Sequence, residues 1–202
     1  MLKREWHDLR LELAALYAAH IADVAGCPPL LAQQLLISGE DHRFFVHAGV
    51  DLIAVLRSMW RRTVLGRVEG ASTIEMQVVR VISGRYERTL RRKVREIGLA
   101  VLVGQVVPKN ALPSIYLRIG YFGWRMTGFA AACRRIRRRP NSLSPFETAA
   151  LVARLKYPQA RTLSRRKGDR ISRRARHLLS LHYRHRQEAT YFGLARHEYA
   201  TP

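Results

Sequence analysis

Two carboxylates and a set of cations carry the chemistry this chain can do. Glu40 lies in GEDHRFFVHAG (residues 39–49), beside Asp41, in a chain where Lys and Arg outnumber Asp and Glu by 36 to 15. Phe44 and Phe45 can supply apolar walls, which desolvate a carboxylate and raise its proton affinity toward the working pH, as a general acid or base needs. Asp41 and His47 are placed to orient Glu40 or to hold its loop. A helix-exit carboxylate paired with Arg43 is the plainer alternative.

Glu96 lies in RRKVREIG (residues 91–98), four residues from Arg92 and so on the same helical face. An ordinary ion pair accounts for those two. It does not account for the surplus, because one acid cannot neutralise Arg88, Arg91, Arg92, Lys93 and Arg95. Cations gathered on one face suit phosphate. GASTIEMQVVR (residues 70–80) adds Ser72 and Thr73 at a helix start, where free N–H groups attract anions. Gln77 and Arg80 follow along the face of Thr73. A capping box from Ser72 to Glu75 explains those two residues but not Gln77. Distant carboxylates with hydroxyls, an amide and cations between them suit glycosyl transfer from a phosphate-linked sugar. One carboxylate takes the proton of the attacking hydroxyl, and cations neutralise the departing pyrophosphate.

The elements that must position these groups are mostly helical. Leu and Ala recur at helical spacing over residues 4–24. CPPLLAQQLLISG predicts a helix opening at Pro and ending at Gly39. Asp51 is an N-cap and Gly66 a stop for the next helix, and GRVEGA is a loop. Further helices are predicted from Ser72 to Gly84, over residues 87–107, around LPSIYLRI and after the glycine-rich GYFGWRMTG. SPFETAALVARLK carries a capping box from Ser144 to Glu147 with Pro145 in the first turn. The Arg-rich tail from Ser164 is helical near RRARHLLSLHYRHR. No convincing strand is legible.

The chain is long enough for one domain with a buried core, and 48% of it is hydrophobic. Cys27 and Cys133 alone exclude a disulfide framework or a cysteine-rich metal site. No apolar run is long enough to span a bilayer, and the charged start is a poor signal peptide. The net charge of +21 is uneven, with 18 basic and 4 acidic residues from Arg134 onward. Such asymmetry points to a polyanionic neighbour: nucleic acid, an anionic membrane face or a phosphate-bearing substrate.

Five motifs in order resemble the peptidoglycan glycosyltransferases of family 51, the polymerising modules of class A penicillin-binding proteins and the monofunctional transglycosylases. EDHRFFVHAG is similar to the family's E-D-x-x-F-x-x-H-x-G, and GASTIEMQVVR to G-x-S-T-x-x-Q-Q-x-x-K. RKVRE matches R-K-x-x-E. KNALPSIYLRIGYFG (residues 109–123) and LSPFETAALVARLKYPQA (residues 143–160) resemble the family's fourth and fifth stretches.

The resemblance implies a mainly α, lysozyme-like fold with a cleft between two lobes. The glycosyltransferase domain would span residues 1–163, followed by a basic helical tail over 164–202 whose removal leaves the fold intact. Glu40 aligns with the general base that activates the acceptor 4-hydroxyl of lipid II. Attack with inversion makes a β-1,4 bond and releases polyprenyl pyrophosphate. Glu96 aligns with the second carboxylate, a candidate ligand for Mg2+ or Mn2+; no organic cofactor is implied. Ser72, Thr73, Gln77, Arg80, Arg88, Arg92 and Lys93 fall on the donor contacts. Asp41, Phe44, His47 and Gly49 shape the base's loop. Glu40 and Glu96 should then open on one cleft. Partners would be lipid II, the growing glycan, an anionic membrane surface and cell-wall synthesis proteins, at the outer face of the cytoplasmic membrane.

The departures are Met76 for the first paired Gln, Arg80 for Lys, Ser114 for Glu, Arg118 for Asn, and Ala160 for the second of two prolines. They motivate one rival, a weakened member that binds lipid II or a cell-wall partner without turnover. A nucleic-acid binder and a glycan hydrolase are further rivals. Neither requires the five ordered motifs together with Arg88, Arg92 and Lys93. Residues around LIAVLRSMW, with Trp60 and nearby arginines, read either as an interfacial face for lipid headgroups or as core.

Overall fold

The computed structural model describes residues 2–23, 26–66, 70–87, 89–187 and 190–194. Nine α-helices carry the described chain: α1 (Leu2–Ala22), α2 (Leu30–Glu40), α3 (Leu52–Leu65), α4 (Ile74–Ser83), α5 (Leu90–Val103), α6 (Leu112–Ile119), α7 (Phe129–Arg135), α8 (Pro145–Val152) and α9 (Arg165–Gln187). The expected mainly α architecture holds. One short antiparallel hairpin, β1 (Tyr121–Gly123) with β2 (Met126–Thr127), falls in the glycine-rich stretch. Gly123, at φ 139°, lets the hairpin lie against Gln159, whose carbonyl oxygen would sit 2.3 Å from an added Cβ.

Local chemistry sets the helix ends. Asp51 caps α3 by accepting the Ala54 N–H at 3.0 Å, and Gly66 closes it in the left-handed region. The box at α8 forms as expected, Ser144 Oγ accepting from Glu147 N and Glu147 accepting from Ser144 N. The box expected at α4 does not form. Thr73 is the N-cap, accepting the Met76 N–H at 3.3 Å, which leaves Ser72 and Glu75 free for other partners. Helix α2 runs through Gly39 to end on Glu40 itself.

The helices pack as two groups. α2, α8 and α9 pack on one another, and α1, α4 and α5 pack together, with α6 touching both groups. The shared core includes Leu13, Leu35, Leu36, Ile37, Ile74, Met76, Leu112, Ile115 and Phe129. Helix α3 stands apart, with no extensive packing on another helix among the described residues.

The tail from Ser164 is not an appendage. Ile171, Ala175 and Leu178 of α9 are buried in the same core. Burying Ile171 and Leu178 stabilises the fold by about 2 kcal/mol each. Beyond α9, Tyr191 and Leu194 return to the core, and the Tyr191 hydroxyl pairs with Ser38 of α2. The expectation that the fold survives removal of this segment is therefore corrected.

Candidate active site

Glu40 occupies the last position of α2, with a quarter of its side chain exposed. Its Oε1 accepts from Arg174 Nη2 at 3.1 Å, and its Oε2 from Gln77 Nε2 at 3.4 Å. Arg174 also donates to the Gly39 carbonyl at 2.7 Å. Gln77 in turn accepts from the Tyr116 hydroxyl at 2.6 Å. Burial pushes the Tyr116 pKa far above its ordinary value, and the charge of Glu40 pushes it the same way, so this phenol keeps its proton. A fixed Tyr116 donor dictates which end of the Gln77 amide faces Glu40.

Glu40 opens on a cavity of about 220 Å³, shared with His42, Arg57, Ser72 and Thr73. Phe44 and Phe45 do not wall it, contrary to expectation. Phe44 is wholly buried, edge-on to Phe45, with Lys109 Nζ 4.5 Å above its ring. Asp41, His47 and Gly49 hold the loop. Asp41 accepts from His47 Nε2 at 3.0 Å and from the Ile74 N–H at 3.2 Å, tying the loop to the start of α4. Gly49, at φ 93°, lies so close to α5 that a Cβ would meet the Ala100 carbonyl oxygen at 2.5 Å. Thr73 Oγ1 donates to the Gly49 carbonyl at 2.7 Å. The first N–H groups of α4 are thus committed to Asp41 and Thr73. The anion-attracting helix start expected there is corrected to a clamp on the loop.

Glu96 is buried and saturated with cations. Arg80 Nε donates to Oε1 at 2.7 Å, Arg92 Nη1 to Oε2 at 2.7 Å, and Lys93 Nζ stands 3.9 Å from Oε2. Burial, then the neighbouring Arg80 and Arg92, lower the pKa of Lys93 against the opposing pull of Glu96. Lys93 and Arg80 both donate to Ser72 Oγ, at 2.7 and 3.4 Å. Three cations therefore face one carboxylate and one hydroxyl, leaving surplus positive charge for an anionic ligand. Arg88 lies outside the described residues.

The two carboxylates line different cavities. Glu96 opens on a space of about 250 Å³ with Arg80, Arg92, Arg95 and the α1 acids Glu5, Asp8 and Glu12. Ser72 joins the two sites, since it lines the cavity of Glu40 and accepts from the cations around Glu96. Gln77 belongs with Glu40 and not with the cation cluster. A divalent cation does not fit at Glu96, because both carboxylate oxygens are taken by guanidinium groups and a third cation stands beside them. Among the described residues, Asp41, His47 and Glu75 bring ligand atoms within 4.8 Å of one another. There Lys109 Nζ already neutralises Glu75 at 2.7 Å.

The motif departures resolve without touching Glu40. Ser114 is buried, 3.4 Å from His20 Nδ1. Arg118 donates to the Asp23 carboxylate at 2.7 Å and to the Ala19 carbonyl at 3.2 Å, so both residues dock α1. Met76 is core, with its sulfur 3.2 Å from Lys93 Nζ. Arg174, Tyr116 and Lys109 are the site residues the sequence reading did not single out.

This order of motifs, folded so that Glu40 and the cations meet at Ser72, coincides with a match to the transglycosylase family model over residues 14–182. The chain belongs to this family. Similar relatives include the biosynthetic peptidoglycan transglycosylase of Xanthomonas euvesicatoria pv. vesicatoria, 35% identical over 70% of this chain and 57% of that protein. The penicillin-binding proteins 1A of Neisseria flavescens and Escherichia coli are 34% and 36% identical over 65% and 53% of the chain. The chain spans just over half of the Xanthomonas relative and less than a fifth of the penicillin-binding proteins. In this transglycosylase-family chain α9 supplies Arg174 to Glu40 from within the matched span.

Proposed function

We propose that the protein polymerises lipid II into β-1,4 glycan, with Glu40 as general base. The observation that carries this reading is the Ser72 junction, which sets a quarter-exposed carboxylate beside a cation cluster with spare charge. Glu40 takes the proton of the acceptor 4-hydroxyl. The hydroxyl oxygen forms a bond to the donor's anomeric carbon as the bond from that carbon to the diphosphate breaks, with inversion. Lys93, Arg80 and Arg92 neutralise the charge that gathers on the leaving diphosphate. Glu96 acts as a positioning residue, holding the two guanidinium groups apart at fixed places. Gln77 and Arg174 orient Glu40.

The reading extends to peripheral attachment at the outer face of the cytoplasmic membrane. No helix among the described residues is long and apolar enough to cross a membrane. Leu52, Leu56 and Trp60 of α3 are more than half exposed, which makes them surface and not core. With Arg57 and Arg61 on the same helix they suit the headgroup zone of anionic lipid. Cell-wall synthesis partners are part of this proposal.

The test is glycan formation from purified lipid II in detergent or liposomes, for wild type and Glu40→Gln. Polymer from the wild type and none from the variant supports the reading. Lipid II binding without polymer from the wild type transfers the protein to the binding-only alternative.

A further inference from the structure

A second concentration of positive charge lines an open groove along α9, away from Glu96. Two adjoining cavities, of about 530 and about 300 Å³, share Tyr157 and Arg170. The larger adds Lys156, Arg173, Arg174 and His177. Among the described residues no carboxylate lines either one. Arg170, Arg173, Arg174 and His177 fall at helical spacing on one stripe of α9. A neighbouring stripe, Ile171, Ala175 and Leu178, is locked in the core, so the cations have a rigid base. Lys156 reaches the same groove from the turn after α8.

Among the described residues no carboxylate pairs with Lys156, Arg170 or Arg173. Their crowding is felt locally: burial, and then Arg174, Lys156 and Arg184, lower the pKa of His177. Like charges held this close repel, and an anion with several oxygen acceptors relieves that repulsion through charge-assisted hydrogen bonds. Arg174 faces both ways, lining the groove while it donates to Gly39 and Glu40.

We propose that this groove is a second anion site, which takes a phosphate monoester or diphosphate, separate from the Arg80–Arg92–Lys93 cluster and joined to Glu40 through Arg174. The site stands on its own geometry and does not depend on polymerase activity. The phosphate can belong to a soluble diphosphate or to an anionic lipid headgroup, which share the same acceptor oxygens.

The test compares the full chain with two double variants by calorimetric titration of inorganic pyrophosphate at fixed ionic strength. Arg170→Ser with Arg173→Ser empties the groove; both side chains are exposed, so the fold is not at stake. Lys3→Ser with Arg10→Ser removes the same charge from the exposed face of α1. A second arm measures co-sedimentation with phosphatidylcholine vesicles with and without phosphatidylglycerol. The proposal expects affinity for at least one probe to fall about tenfold or more in the groove variant, with the α1 variant unchanged. A fall with pyrophosphate identifies a free diphosphate site, and a fall with phosphatidylglycerol vesicles alone identifies a headgroup site. Unchanged affinity for both probes, or an equal fall in the α1 variant, overturns it.

Discussion

Arg174 Nη2 lies 3.1 Å from Glu40 Oε1, across a sequence separation of 134 residues. The guanidinium pairs with one carboxylate oxygen and leaves the group a quarter exposed, with the cavity in front of it. Because Glu40 is at a helix end and outside the core, its loss should affect turnover and not folding. Glu40→Gln should reduce polymerisation from lipid II by about a thousandfold, while stability stays within about 0.5 kcal/mol. Product gels and a thermal melt check both halves. Substantial activity in the variant would falsify the assignment of Glu40 as base.

Tyr116→Phe should separate positioning from binding. The change leaves the buried Gln77 carbonyl without its donor, at a cost of about 1–3 kcal/mol. The amide is then free to turn its oxygen toward Glu40. We expect kcat to fall about tenfold or more with KM little changed. A variant altered only in KM contradicts the orienting role.

Glu96→Gln should destabilise the protein by about 3 kcal/mol. The value lies at the low end for a broken buried pair, because Arg80 and Arg92 keep some solvent contact. Urea unfolding measures it; an unchanged midpoint would mean that the cations do not need their shared counter-ion.

Glu75 gives a pH signature. Burial raises its pKa against the opposing pull of Lys109. A carboxyl whose proton affinity is higher folded than unfolded favours folding most below its unfolded pKa. That advantage is lost as pH rises through the raised folded value. Against Glu75→Gln, the wild type should therefore lose relative stability across that interval. Denaturation curves at successive pH values show it, and a constant difference rules it out.

Ending the chain after Leu163 should abolish cooperative folding. The cut removes Ile171, Ala175 and Leu178 from the core, together with the Arg174 contact to Glu40. A sharp thermal transition in the truncated protein would show that α9 is dispensable after all.

Much of this was legible because it is local. Asp51, Gly66 and the Ser144–Glu147 box announce helix ends through contacts a few residues apart, and the Arg92–Glu96 pair follows from helical pitch. The Ser72–Glu75 box failed because two tertiary partners outbid it: Lys93 draws Ser72 and Lys109 draws Glu75. Arg174 looked like one more surface charge on a basic tail. Nothing near it in sequence signals a contact with Glu40, since only the docking of α9 on α2 creates that contact. Glu40 and Glu96 line separate cavities for the same reason: the packing of α4 on α5 and the acids of α1 are tertiary facts.

Helix α3 brings a practical dividend. Trp60 rides on the apolar stripe of the one helix that packs extensively on nothing else among the described residues, more than half open to water, whereas Trp6 and Trp124 are partly covered. Its indole emission should shift to shorter wavelength when detergent or lipid covers that stripe, so the unlabelled molecule carries its own optical gauge of surface attachment.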